Sequence, residues 1–190
     1  MSEEPFLATV HAGSTTLSPS RREVVGFDLE GRPIHWFRAG ETYKRSLASE
    51  VFGRRRERGT RRRWRVPSED TERLFARALA VAREAQASLA DIVVTGSGGE
   101  LARRVERVLE WTPESLAAER ERFLRVYQPV SILPPDQYQS VVLQASFGCS
   151  WNRCTFCTFY QDRPFRMRRI DEFEAHVAGV KGLLGAAAEA

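Results

Sequence analysis

The chain has 190 residues, of which 28% are charged and 42% hydrophobic, with a formal net charge of +4. A chain of this size can bury one or two modest cores. No apolar run reaches the roughly twenty residues of a membrane-spanning helix, which excludes a helical membrane span.

Residues 1–23 are rich in Ser and Thr between Ser14 and Ser20 and lack regular apolar spacing, so they are predicted to form a loose leader. They also lack the basic stretch followed by an apolar core that marks a signal peptide. Val24–Asp28 and Pro33–Arg38 flank the turn-like Leu29-Glu30-Gly31-Arg32 and predict a β-hairpin, with Trp36, Phe37 and Tyr43 building a small core. Arg54 to Arg65 then carries eight arginines against the single acid Glu57, so the basic pI belongs to one segment. Such a run can neutralise phosphates, with Trp64 stacking on a base. Only Lys44 and Lys181 are lysines, however, so arginine is the general cation of this chain and a solvated surface loop is the expected state.

Ser68 is placed as the N-cap of a long amphipathic helix presenting Leu74, Phe75, Ala78, Leu79, Ala82 and Leu89. Ile92–Thr95 has strand character and runs into Gly96-Ser97-Gly98-Gly99-Glu100, where Leu101 stands in place of the glycine a dinucleotide fingerprint needs; a turn is expected. A helix over Leu101–Glu110 follows. A third starts at Thr112-Pro113 and presents Leu116, Phe123, Leu124 and Tyr127. The proline-containing stretch from Tyr127 to Asp136 cannot continue a helix and is read as a linker into a strand over Val141–Phe147. After the cysteine segment, Asp171 as N-cap with Glu174 three residues on predicts a helix from about 172 to 184. The expected organisation is leader 1–23, a hairpin and helical region 24–135, and a further module 136–190.

All three cysteines lie in Gly148-Cys149-Ser150-Trp151-Asn152-Arg153-Cys154-Thr155-Phe156-Cys157, a C-x4-C-x2-C cluster. Pairing any two strands the third, so a disulfide framework is not expected. Three thiolates on one loop fit an iron–sulfur cluster, or zinc with a fourth ligand from His176, His35 or His11. His176 falls within the apolar pattern of Phe173, Val177, Val180, Leu183 and Leu184 and reads more readily as a helix residue. Free thiols without a secretion signal predict a cytoplasmic location.

With its neighbours Thr158, Phe159 and Tyr160, this segment resembles the cluster loop of the radical S-adenosylmethionine (radical SAM) superfamily, which follows the first strand of a partial (βα) barrel. The usual spacing there is C-x3-C-x2-C with an aromatic residue before the last cysteine. Phe156 holds the aromatic place, and one residue is added between Cys149 and Cys154. The resemblance implies an α/β protein: a mixed α+β N-terminal region followed by the first βα unit of the barrel. It implies that Cys149, Cys154 and Cys157 each bind one iron of a [4Fe–4S] cluster whose fourth iron binds S-adenosylmethionine, with Phe156 against cluster or adenine.

By the same resemblance, reduction of the sulfonium yields a 5′-deoxyadenosyl radical that abstracts hydrogen from a substrate, the electron coming from a donor such as a flavodoxin or ferredoxin. The arginines at 163, 166, 168 and 169 are placed to face cluster or cofactor, or to lie in a solvated loop. A barrel needs roughly 200 or more residues, and residues 158–190 supply one helix, so the barrel is expected to be incomplete and this chain alone inactive. The competing expectation is a non-catalytic zinc module, with the arginine run binding nucleic acid.

Overall fold

The computed structural model describes residues 4–46, 48–57, 59–130 and 140–188. The chain falls into two compact units, residues 1–121 and 122–188. The division lies ahead of the proline-containing stretch expected to mark it, of which residues 131–139 are outside the described residues.

The first unit is a long antiparallel meander closed by one parallel strand. Its strands are β1 (Leu7–His11), β2 (Ser14–Ser20), β3 (Glu23–Asp28), β4 (Pro33–Arg38), β5 (Glu41–Arg45), β6 (Val51–Glu57) and β7 (Thr60–Arg65). Helix α1 (Ser68–Ala87) then crosses over and delivers β8 (Val93–Gly96) parallel to β1, giving the order β7-β6-β5-β4-β3-β2-β1-β8. The β3–β4 hairpin forms as expected. Between β4 and β5 the turn residues Ala39 and Gly40 both have positive φ, 50° and 84°, the primed-turn geometry that matches strand twist.

Side chains alternate across a strand, so one face of this sheet collects Ala8, Val10, Leu17, Val25, Phe27, Trp36 and Val51. That face is buried against Leu74, Phe75, Ala78, Leu79, Val81, Ala82 and Ala85 of α1, and the same core takes in Leu101, Val105 and Val108 of α2 (Leu101–Leu109) and Leu116 of α3 (Pro113–Val126). Each fully buried aliphatic or aromatic side chain contributes about 1.5–3 kcal/mol. Two polar ties fix α1 on the sheet. Trp36 Nε1 donates to the Leu74 carbonyl at 3.2 Å, and Arg77 forms a two-pronged pair with Glu23 at 2.9 and 2.7 Å.

A buried ion cluster ties the hairpins to α3. Glu119 receives Arg32 Nη1 on one carboxylate oxygen and Arg45 Nη2 on the other, both at 2.7 Å, while Arg32 Nε also holds Asp28 at 2.6 Å. The three central side chains are 8%, 6% and 3% exposed for Arg32, Glu119 and Arg45. Burial alone would push the Glu119 carboxyl up; the hydrogen bonds and charges of Arg45 and Arg32 outweigh it and hold the group below the usual carboxylate range.

The second unit contains the end of α3, the two-residue strands β9 (Ser146–Phe147) and β10 (Arg166–Met167), and α4 (Ile170–Leu184) followed by a 3-10 turn at Gly185–Ala188. Among the described residues, then, the fold is mixed α+β with a large, mostly antiparallel sheet. No described helix is long and apolar enough to cross a membrane.

Four expectations are corrected. The supposed leader contains β1 and β2, two interior strands of the sheet: Ala8, Val10, Thr15 and Leu17 make a short inward alternation whose outward positions include Thr9, Ser14, Thr16 and Ser18. Pro19 is tolerated because the β2–β3 register shifts between Leu17 and Ser20. The arginine run is the β6–β7 hairpin and not a loop. The strand expected over Val141–Phe147 is reduced to its last two residues. The N-cap of α4 is Arg169, whose backbone N–H donates to Glu172 at 2.9 Å, two residues ahead of the expected Asp171 and Glu174 pair.

Replacing Glu119 with alanine leaves two buried guanidinium groups short of a counter-charge and is expected to cost about 3–5 kcal/mol, measured by urea unfolding at pH 7. Because the folded carboxyl is depressed, its contribution is complete above the unfolded pKa and is lost as pH falls through the folded value. The stability gap between wild type and Glu119→Ala should therefore narrow on acidification.

Candidate metal centre

The cysteine segment is a loop whose two ends are pinned together. Phe147 pairs with Arg166 and Ser146 with Met167 in the antiparallel β9–β10 bridge, and the Arg168 N–H continues it to the Ala145 carbonyl at 2.9 Å. Phe147 is buried beneath two guanidinium groups, with Arg168 Cζ 4.4 Å and Arg166 Cζ 5.0 Å from its ring centroid. Gly148 leaves the bridge with φ +69°, and a Cβ there would stand 2.7 Å from the Pro164 carbonyl oxygen. Only glycine meets both conditions.

Past Gly148 the chain makes a tight turn at Asn152, φ 45°. Its backbone N–H donates to Cys149 Sγ at 3.4 Å, and its side-chain Nδ2 donates to the Tyr160 carbonyl at 3.1 Å. The N–H groups of Asn152 and then Trp151 favour the thiolate and lower the Cys149 pKa, against a smaller opposing effect of burial. Across the loop, Gln161 Nε2 donates to the Cys157 carbonyl at 3.2 Å. All three thiols are free and partly exposed.

The donor chemistry fits a thiolate-held cluster: three unpaired soft ligands, one with its pKa lowered by backbone N–H groups. The sulfurs are not yet gathered. No three of the described His, Cys, Asp or Glu side chains lie close enough together to hold a metal ion.

Phe156 is 90% exposed, so it is neither a core aromatic nor shielded by the rest of the loop. Beside the loop, in the same unit, a cavity of about 320 Å³ is bordered by Pro129, Leu143, Ser146, Gly148, Tyr160 and Arg163. The four arginines are engaged with the protein itself. Arg163 pairs with Asp162 and donates to the Pro129 carbonyl, Arg166 pairs with Glu172, Arg168 Nε donates to the Gln144 carbonyl, and Arg169 pairs with Asp171. Of the four, Arg166 and Arg168 lie over Phe147 at the base of the loop.

His176 is a buried residue of α4, as its apolar spacing indicated. Its Nε2 accepts the Gln144 N–H at 3.0 Å and its Nδ1 faces the Val126 carbonyl at 3.1 Å, an arrangement that assigns the neutral Nδ1–H tautomer. Burial first, and the nearby Arg168 charge second, lower its pKa. Both ring nitrogens are occupied, so His176 does not offer a fourth zinc ligand. His11 and His35 belong to β1 and β4 of the first unit.

No family model, curated protein or solved structure matches this chain.

Gly148→Ala is expected to lower the stability of the second unit by about 1–3 kcal/mol through backbone strain, read as an earlier thermal transition. In a variant that keeps Cys149 alone, alkylation by iodoacetamide should reach half its maximal rate below the roughly pH 8.5 of an ordinary cysteine. A midpoint at or above that value would contradict the N–H contacts at its sulfur.

Proposed function

We propose that Cys149, Cys154 and Cys157 bind a [4Fe–4S] cluster of the radical SAM type and that the chain contributes the cluster-binding part of a radical SAM enzyme. The observation that carries the reading is the trio of free thiols on one pinned loop, with the Cys149 pKa lowered by the backbone N–H groups at its sulfur. When bound, the cluster would supply an open iron for the amine and carboxylate of S-adenosylmethionine and the electron that cleaves its sulfonium.

The chain's own residues have three tasks in this reading. The cysteines supply the anionic sulfur donors, which requires the loop to draw them together, so that binding and loop ordering are one event. Phe156, projecting into solvent, supplies an apolar surface that can cover cluster or adenine and limit water access. Phe147, clamped by Arg166 and Arg168, fixes where Cys149 leaves the β9–β10 bridge. The finer expectation of a partial (βα) barrel, with this segment as its first βα unit, belongs to the same proposal, as does an external electron donor of the flavodoxin or ferredoxin class.

Zinc is the competing occupant. It is less well supported because the sole histidine in the second unit has both nitrogens engaged within the protein.

Anaerobic reconstitution with iron and sulfide is expected to give broad visible absorption and close to four irons per chain, as a [4Fe–4S] cluster requires. Cys154→Ala should abolish assembly. Addition of S-adenosylmethionine should change the paramagnetic resonance spectrum of the reduced cluster. A colourless protein holding one tight zinc would refute the proposal.

A further inference from the structure

Helices cover one face of the eight-stranded sheet, and the register of the pairs identifies what occupies the other. Lys44 pairs with Phe52 and Phe52 with Arg65; Thr42 pairs with Arg54 and Arg54 with Arg63; Arg56 pairs with Arg61. Cross-strand partners point to the same side, and Val51, the neighbour of Phe52, is buried in the core. Phe52, Arg54 and Arg56 of β6, Arg61, Arg63 and Arg65 of β7, and Thr42 and Lys44 of β5 therefore share the face away from the core.

Six cations share this patch, and all are exposed. Arg65 pairs with Glu50 at 2.6 Å. Among the described residues, Lys44, Arg54, Arg56, Arg61 and Arg63 have no carboxylate partner, and no acid occupies this part of the face. Arg55 of the opposite face contrasts with them, being shared between Glu41 at 3.1 Å and Glu57 at 3.3 Å.

Phe52 is 46% exposed in the midst of these charges, beside a groove of about 300 Å³ lined by Thr42, Lys44, Phe52, Gly53, Arg54 and Arg63. Trp64, the residue the sequence offered for base stacking, lies on the covered face across Gly53, its ring edge-on to Tyr43 at 6.1 Å. The aromatic available to a ligand is Phe52.

An array of unpaired like charges is held apart at a cost that a polyanion removes. A flat, open sheet face with an exposed ring inside that array presents phosphate contacts and a stacking platform together, a combination suited to unpaired bases. We infer that the open face of β5–β7, centred on Phe52, Arg54 and Arg63, binds single-stranded nucleic acid. Bases stack on Phe52 while Lys44, Arg54, Arg56, Arg61 and Arg63 neutralise the backbone.

The test is fluorescence anisotropy of the full 190-residue chain with labelled 20-nucleotide oligo-uridine and oligo-thymidine, across a salt series. With about five phosphates neutralised, the slope of log K against log salt should be about −3.5. Arg54→Ala with Arg63→Ala should reduce that slope by about 1.4, whereas Arg55→Ala, which removes a charge from the opposite face, should leave it unchanged. Phe52→Ala should weaken binding about tenfold or more at any salt, from lost base stacking.

Circular dichroism of each variant separates loss of binding from loss of fold. Tighter binding to a 20-base-pair duplex than to the single strand overturns the inference. So does heparin competition combined with an unaffected Phe52→Ala, since the patch would then read charge alone. Removing all three thiols by serine substitution should leave oligonucleotide binding intact, which keeps this result separate from the fate of the cluster proposal.

Discussion

One-sided burial is the constraint from which the first unit follows. A meander of seven short strands cannot close on itself, and its inward positions, from Ala8 to Val51, are apolar and need a cover. Helix α1 supplies that cover and, by crossing the sheet, carries the chain back to add β8 beside β1. The outward positions are thereby released from any packing requirement. Ser and Thr fill most of them on β2, Leu7, Thr9 and His11 those on β1, and Lys and Arg predominate on β5 to β7, so that one sheet face becomes strongly basic toward β7. An edge hairpin dense in charge also resists pairing with another sheet, which protects β7 from strand addition.

Burial of charge is confined to where geometry compensates it. Glu119 has a guanidinium on each carboxylate oxygen and Arg32 is shared with Asp28, so each buried charge meets at least one opposite charge. Arg32, Arg45 and Glu119 come from the β3–β4 hairpin, β5 and α3, so the cluster can form only when these elements are all in place. It contributes more to the uniqueness of the arrangement than to its net stability, since paired charges gain little over an apolar substitute while mispaired ones are heavily penalised. His176 follows the same logic in the second unit: a polar ring is admitted to the interior because Gln144 and Val126 satisfy both its nitrogens.

The legibility of this fold in its sequence depended on the length of each pattern. Helix α1 was readable because Leu74, Phe75, Ala78, Leu79 and Ala82 repeat over several turns, and the β3–β4 hairpin because Gly31 sits between two apolar strands. β1 and β2 were missed because their inward residues are few and small, and their outward residues are the Ser and Thr that also typify loops. The arginine hairpin was missed for a related reason: when five of the outward and two of the inward positions carry the same charge, the alternation that announces a strand disappears. The apolar Val51 and Trp64, with Gly53 between them, preserve it, and three positions are too few to outweigh eight arginines. The cysteine trio was visible at once, since its chemistry depends on residue type and not on periodicity.

The loop that carries those cysteines is ordered unevenly, and the unevenness follows from its sequence. Its base is determined by Gly148, by the β9–β10 bridge and by the paired guanidinium groups over Phe147. Its first turn is determined by Asn152, whose left-handed backbone reverses the chain within the four residues that separate Cys149 from Cys154. Asn is among the few residues that adopt this conformation at low cost, and its side chain then ties the turn to Tyr160. The same reversal brings the Asn152 N–H to Cys149 Sγ, a contact that lowers the pKa of that thiol. Cys154 and Cys157 follow that turn as free, partly exposed thiols of the same loop, whose base is held independently of them.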